Sequence, residues 1–208
     1  GGEQAKTLER LGEVLEFSAA SGLARSSTLI AFGGGTIGDL GGLAASLFKR
    51  GMNVVQVPTT LLAQVDASVG GKTAINLSAG KNLAGTFHQP RAVFADTETL
   101  TSLSEDEYAS GLGEVVKSAL VGDAELLHLL EERTEEVRAR DAQVLTSIVE
   151  RCVRVKAEVV AEDELESGRR RVLNLGHTFA HAIEHVADYG RIPHGTAAVS
   201  YTHLRAHE

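Results

Sequence analysis

The chain has 208 residues, 43% of them hydrophobic, with 22 glycines and a formal charge of −8. That apolar content supplies a sizeable core and argues against disorder, while an acidic balance without a basic tract excludes a nucleic-acid or anionic-membrane surface, so any positive site has to be local. A single cysteine, Cys152, leaves no intramolecular disulfide and fits a reducing compartment; with no signal peptide and no bilayer-length apolar run, the expectation is a soluble cytoplasmic protein without a membrane partner.

In chain order, Thr7 to Ala20 reads as an amphipathic helix and Ser27 to Phe32 as a buried strand. Gly38 to Arg50 reads as a helix rich in small residues, and Asn53 to Val57 as a second strand ended by Pro58. Arg91 to Phe94 is a weaker third strand. Apolar strands alternating with helices imply parallel pairing. Between strands two and three, the glycine-rich span reads as a long functional loop or hairpin. From about Leu103 the pattern turns helical, with Ser104 and Glu107 forming an S-x-x-E start. Helical periodicity covers Glu105 to Val121, Ala124 to Ala139, Ala142 to Ala161 and Val172 to Ala187, with a charged connection, Glu162 to Arg171, between the last two. The fold class is α/β: a parallel-sheet domain suited to a nucleotide, then a helical domain.

Gly33-x-Gly35-x-x-Gly38 lies between a strand and a helix, where glycines let backbone N–H groups approach a pyrophosphate. The acidic residue that ordinarily follows the next strand is absent, so the arrangement is not the usual dinucleotide one. Gly70-Gly71-Lys72-Thr73 invites a P-loop reading, but Asp66 stands where the pattern needs glycine. What remains is Lys72, Lys81 and Asn82 in a segment suited to an anionic group, with Asp66 in an otherwise apolar run that calls for burial or a partner. Glu114 and Lys117, i and i+3, most simply form a surface ion pair, yet their neighbours are uncharged and the pair fits a cleft equally well. His177, His181 and His185 share one helix face, and His194 follows in a loop; a helical His pair, a third His and Glu114 make a divalent-metal set, with the choice among the histidines open. Arg170 falls near the same face, or is one of three solvated arginines.

GGGTIGDLGG, KRGMNVVQVPTTLLAQVDASVGGKTAINLSAGKN, ASGLGEVVK and NLGHTFAHAIEH with its following HG together resemble the 3-dehydroquinate synthase family, in order, up to about Ala198. The resemblance implies a Rossmann-like NAD-binding domain over residues 1–98, a helical metal- and substrate-binding domain over 99–198, and a non-native tail over 199–208. It implies an NAD- and metal-dependent lyase converting 3-deoxy-D-arabino-heptulosonate 7-phosphate to 3-dehydroquinate and phosphate. Zinc, or cobalt, would be held by Glu114, His177 and His194. NAD contacts would come from Glu3, Lys6, Gly35, Thr36, Asp39, Thr59, Thr60, Lys72, Lys81, Thr99 and Ser102. The phosphorylated sugar acid would meet Asp66, Lys72, Asn82, Lys117, Lys156, Arg170, Asn174 and His181, and Arg50 would reach a neighbouring subunit's site in a homodimer.

The family's first strand and helix are missing before GGEQAK, Thr196 stands where the family has Glu, and the final VSYTHLRAHE matches nothing in it. The expectation is a chain truncated at both ends that folds poorly and turns over little. Rival readings are another NAD-dependent sugar-phosphate cyclase, a zinc-dependent polyol dehydrogenase, and a non-catalytic NAD-binding module.

Overall fold

The computed structural model describes residues 2–175, which fall into two compact units: residues 2–59 with 67–96, and residues 60–66 with 97–175. Among the described residues no helix is long and apolar enough to cross a membrane.

The first unit is α/β. Helix α1 (Leu8–Ala20) starts where the Thr7 hydroxyl accepts from the Arg10 N–H. Strand β1 (Thr28–Gly33) leads through Gly34 into α2 (Gly35–Leu47), which returns to β2 (Asn53–Pro58). The short β5 (Ala92–Val93) completes a three-stranded parallel sheet ordered β1-β2-β5, with Leu29 opposite Val54 and Val55 opposite Ala92. The helix begins three residues earlier than its small-residue pattern implies, so the glycine fingerprint forms its first turn rather than a preceding loop. The segment between the second and third sheet strands is a hairpin, β3 (Lys72–Leu77) against β4 (Gly80–Phe87).

The small residues of α2 have a packing reason. The helix lies between the sheet and the hairpin: a Cβ on Gly41 would sit 3.1 Å from the Ala31 Cβ, and one on Gly42 would meet Thr73 Cγ2 at 2.4 Å. Only a helix nearly free of side chains on both faces fits that slot. Its larger residues, Leu40 and Leu43, close a small core with Leu11 and Ile75.

The second unit is helical. Helix α3 (Glu105–Gly122) is capped by the Ser104 hydroxyl accepting from the Glu107 N–H at 3.3 Å, as the S-x-x-E spacing implies. The expected helix over Ala124 to Ala139 is two, α4 (Ala124–Glu132) and α5 (Thr134–Arg138). The break sits at Arg133, where the Thr134 hydroxyl donates to the carbonyls of Leu130 and Glu131 and competes with the helical ladder. Helix α6 (Ala142–Glu162) carries Leu145, Ile148, Val149 and Cys152 into a core shared with Leu61, Val65, Leu100, Tyr108 and Val115. Burial pushes the Cys152 thiol up to about 12, so the one cysteine serves as a core residue. Residues Arg169–Asn174 form a 3-10 turn where the sequence pattern starts a helix at Val172; the rest of that expected helix lies outside the described residues.

Candidate functional site

In the α/β unit, four expected site residues converge. The Lys6 ammonium, 3% exposed, donates to Asp39 Oδ2 at 2.7 Å and to Asn82 Oδ1 at 2.5 Å. Glu3 lies 3.4 Å from the same ammonium. Asn82 adopts a left-handed backbone, φ 56°, held because its N–H donates to the Asn76 side chain at 2.9 Å. Asn76 in turn donates from Nδ2 to Glu3 Oε1 at 2.8 Å and from its main chain to the Lys6 carbonyl. Asn76 is thus the hub that ties the hairpin to the segment carrying Glu3 and Lys6. Sequence reading passed over it; a lone amide inside the apolar run TAINL was the available signal.

Beside this cluster, the start of α2 carries Gly35 and Thr36 with Gly34 at the cap position, where no side chain covers the first-turn N–H groups. Such a helix start favours an anion. Gly33 is required for the approach: its φ is 156°, and a Cβ there would fall 2.7 Å from Ile37 Cγ1. The Thr59 N–H donates to the Gly33 carbonyl at 3.0 Å, which fastens the turn after β2 to the glycine turn. Lys72 opens β3 and Lys81 lies near the start of β4. Arg50 stands in a left-handed turn of its own, φ 64°, with its carbonyl bonded to Arg25.

In the helical unit a second group gathers around Asp66, within a one-turn π-helix at Ala63–Ala67, a geometry found mostly at functional sites. Its Oδ1 is 2.6 Å from Lys156 Nζ and 3.7 Å from Lys117 Nζ, and its carbonyl accepts from Lys156 at 2.6 Å. Lys117 also pairs with Glu114. Glu114, Lys117, Lys156 and Arg170 are all buried, so the pair read most simply as a surface ion pair is interior. The small residues around it explain this: a Cβ on Gly111 would meet Leu61 Cβ at 2.5 Å and the Leu62 nitrogen at 2.8 Å, so α3 lies directly on the segment leading to Asp66.

The two lysines differ. Burial works against the Lys117 charge, but Asp66 and Glu114 together outweigh it and raise its pKa. For Lys156 burial wins: despite Asp66, its pKa falls, with Lys117 and Arg170 adding to the drop. Burial likewise lowers Arg170. Lys117 and Lys156 meet over Asp66, with Glu114 beside Lys117, while Arg170 feels Glu166, Asp66, Asp163 and Glu164, so the buried charges form one connected network. Arg170 is placed by a device that sequence reading took for solvated charge. The Asp163 carboxylate accepts from the N–H groups of Ser167, Gly168 and Arg170 at 2.9, 2.7 and 3.0 Å, folding the connection back.

Other expected residues lie outside this group. Asn174 is exposed and donates to Glu166 Oε1 at 2.6 Å. Thr60 accepts at its hydroxyl from the Ala63 N–H, and Thr99 from Gln64 Nε2 at 3.2 Å. Ser102 donates to the Thr99 carbonyl. Gln64 was not anticipated: wholly buried two residues before Asp66, it anchors the π-turn to the Thr99 segment.

For a metal, Glu114 is the informative residue. It is 1% exposed; its Oε2 is paired with the Lys117 ammonium, while its buried Oε1 accepts no hydrogen bond among the described residues. A buried carboxylate oxygen left without a donor is costly, and Oε1 is free to meet a second cation beside Lys117, so Glu114 fits a metal ligand. No three acidic, His or Cys side chains converge among the described residues, and His177, His181 and His194 lie outside them.

Comparison with known proteins also divides the chain in two, but after residue 110, later than the boundary between the compact units. Residues 1–110 match the family model "3-dehydroquinate synthase N-terminal" and residues 111–207 match "3-dehydroquinate synthase C-terminal". A 3-dehydroquinate synthase of Acidithiobacillus ferrooxidans is 49% identical over 196 residues, covering 94% of this chain and 54% of its own length. The chain therefore spans about half the length of the curated relatives it matches. Among solved structures, a 2-epi-5-epi-valiolone synthase of Streptomyces hygroscopicus with NAD+ and Zn2+ bound superposes with a TM-score of 0.89 at 35% identity, over 95% of this chain and 56% of that one. A 2-deoxy-scyllo-inosose synthase complexed with carbaglucose-6-phosphate, NAD+ and Co2+ gives 0.85 at 36% identity, over 96% and 54%.

Proposed function

The chain belongs to the 3-dehydroquinate synthase family, and from that premise we propose that it supplies NAD-binding, metal-binding and substrate-binding parts of an enzyme converting 3-deoxy-D-arabino-heptulosonate 7-phosphate to 3-dehydroquinate and phosphate. The observation that carries the reading is the buried group in which Asp66 is shared by Lys117 and Lys156, beside Glu114 and Arg170. When bound, NAD would take up and return a hydride, and a divalent ion would make hydroxyl groups near it more acidic.

The chain's own residues do the rest. Lys6, locked between Asp39 and Asn82, presents a fixed positive charge near the uncapped start of α2, and both favour the cofactor's phosphates. Lys117, Lys156 and Arg170 hold the anionic groups of a phosphorylated sugar acid and stabilise phosphate as it departs. Lys156, its pKa lowered by burial, is the better suited of the two lysines to pass a proton at Nζ, while Lys117 keeps its charge. Glu114, with His177 and His194, would hold the metal. The same reading makes residues 1–98 the cofactor domain and 99–198 the metal and substrate domain. It also includes a cytoplasmic homodimer in which Arg50 reaches the second copy's site.

A sister cyclase is the nearest alternative. It is disfavoured because identity to the two cyclases of known structure, 35% and 36%, falls below the 49% to the dehydroquinate synthase. The test is phosphate release by the protein that carries this chain, offered heptulosonate 7-phosphate, sedoheptulose 7-phosphate or glucose 6-phosphate with NAD and zinc. Release from the first alone, without NADH build-up and stopped by a chelator, is expected. Release from only one of the others would contradict the assignment.

A further inference from the structure

The β3–β4 hairpin falls out of step at one place. Ile75 pairs with Ala84 and Leu77 with Gly80, so β3 has only Asn76 between the paired positions, while β4 places Lys81, Asn82 and Leu83 there. A bulge of this kind bends its strand and re-aims the side chains it carries. It leaves Asn76 without a register partner, and the Asn76 main-chain N–H donates to the Lys6 carbonyl at 2.8 Å. Asn82, one of the surplus residues, takes up its left-handed backbone, φ 56°.

The Asn76 amide is engaged at both ends, and only one orientation serves. Its Oδ1 accepts from the Asn82 N–H at 2.9 Å, and its Nδ2 donates to Glu3 Oε1 at 2.8 Å. A main-chain N–H can only donate and an ionised carboxylate can only accept, so an amide fits here where a carboxylate or an apolar side chain does not. The same logic orients Asn82, which presents Oδ1 to the Lys6 ammonium, a group that only donates. The contacts close a ring: Lys6 to Asn82, Asn82 to Asn76, Asn76 to Glu3, and Glu3 back to Lys6 at 3.4 Å.

We propose that Asn76 is a positioning residue for the cofactor, acting through Lys6 and Asn82 rather than by contact. The inference rests on the reading that Lys6 faces the cofactor's phosphates. A lysine side chain has much rotamer freedom to lose, and a ring that fixes its ammonium beforehand leaves less to be lost on binding. A left-handed residue other than glycine persists only where its surroundings hold it. Without the Asn76 Oδ1, the Asn82 backbone relaxes and carries its own Oδ1 away from Lys6. The ammonium then loses one of its two hydrogen bonds.

NAD+ is titrated calorimetrically into the chain and into N76A, N76D, E3Q and N76D/E3Q, with the helix signal and urea midpoint of each recorded. N76A should bind roughly ten-fold more weakly at unchanged stoichiometry. A role confined to stability would instead lower the midpoint and the number of sites filled, with the affinity of the folded molecules as in the parent. N76D sets a carboxylate against that of Glu3 and should weaken binding at least as much. N76D/E3Q restores the bond with donor and acceptor exchanged, so its affinity should return to within about three-fold of E3Q; this pair also decides the matter should N76A not fold. Parent-like affinity in N76A, or N76D/E3Q no tighter than N76D, would overturn the inference and leave the cofactor reading standing. No binding by the unaltered chain would overturn both.

Discussion

The two units build their sites from different materials. In the α/β unit the work falls to backbone: a glycine turn at Gly33, a helix start without a side-chain cap, and a helix thin enough to slide between sheet and hairpin, with Lys6, Asp39 and Asn82 clasped beside it. In the helical unit it falls to buried charge, with Asp66, Glu114, Lys117, Lys156 and Arg170 set against a core of large apolar side chains. The difference teaches where each is fragile. A cradle made of missing side chains fails when a carbon is added, and a cluster made of charges fails when one is removed.

The largest effect should come from removing a charge. In D66A, Lys117 and Lys156 lose the carboxylate they share, and breaking such a buried pair costs about 3 kcal/mol or more. Urea unfolding followed by helix signal measures it, and D66N should lose nearly as much; a D66A chain within about 0.5 kcal/mol of the parent would break the contrast between the units. Adding a carbon comes next. G33A forces a residue into φ 156° with its Cβ 2.7 Å from Ile37, which should cost about 2 kcal/mol. A smaller loss is expected for Y108F, about 1 kcal/mol, because the Tyr108 hydroxyl donates to the Val137 carbonyl at 2.6 Å inside the helical core.

The smallest effect is a dependence on pH. The N–H groups of Arg170, Gly168 and Ser167 hold the Asp163 carboxyl down to about 2, against an ordinary 3.8. Because the folded value is depressed, the stabilisation is complete above about 4 and is lost as pH falls toward 2. Proteolysis of the 163–170 connection should therefore quicken across that window in the unaltered chain. In D163N it should be fast at either pH.

Much of this was legible from residue order. The strand, glycine turn and helix around Gly33 to Asp39 follow from an apolar run meeting a glycine fingerprint, and Ser104 announces the start of α3. What was hidden depends on partners far away in sequence or on side chains competing with backbone. Burial of the Glu114 and Lys117 pair is decided by Gly111 letting α3 onto Leu61, fifty residues earlier by number, and i, i+3 spacing says nothing of it. Asn76 and Gln64 act through bonds to Glu3 and Thr99, which no local pattern links. The break at Arg133 comes from one threonine hydroxyl, and Asp163 hides its backbone bonds in a run that composition reads as solvated.

The most direct test is calorimetric titration of NAD+ into this chain and two variants, K6M and K117M. The account predicts binding by the parent, affinity weakened roughly ten-fold in K6M, and affinity nearly unchanged in K117M. No binding by the parent, or loss in K117M with K6M unaffected, would contradict the assignment of the cofactor to the glycine-built unit.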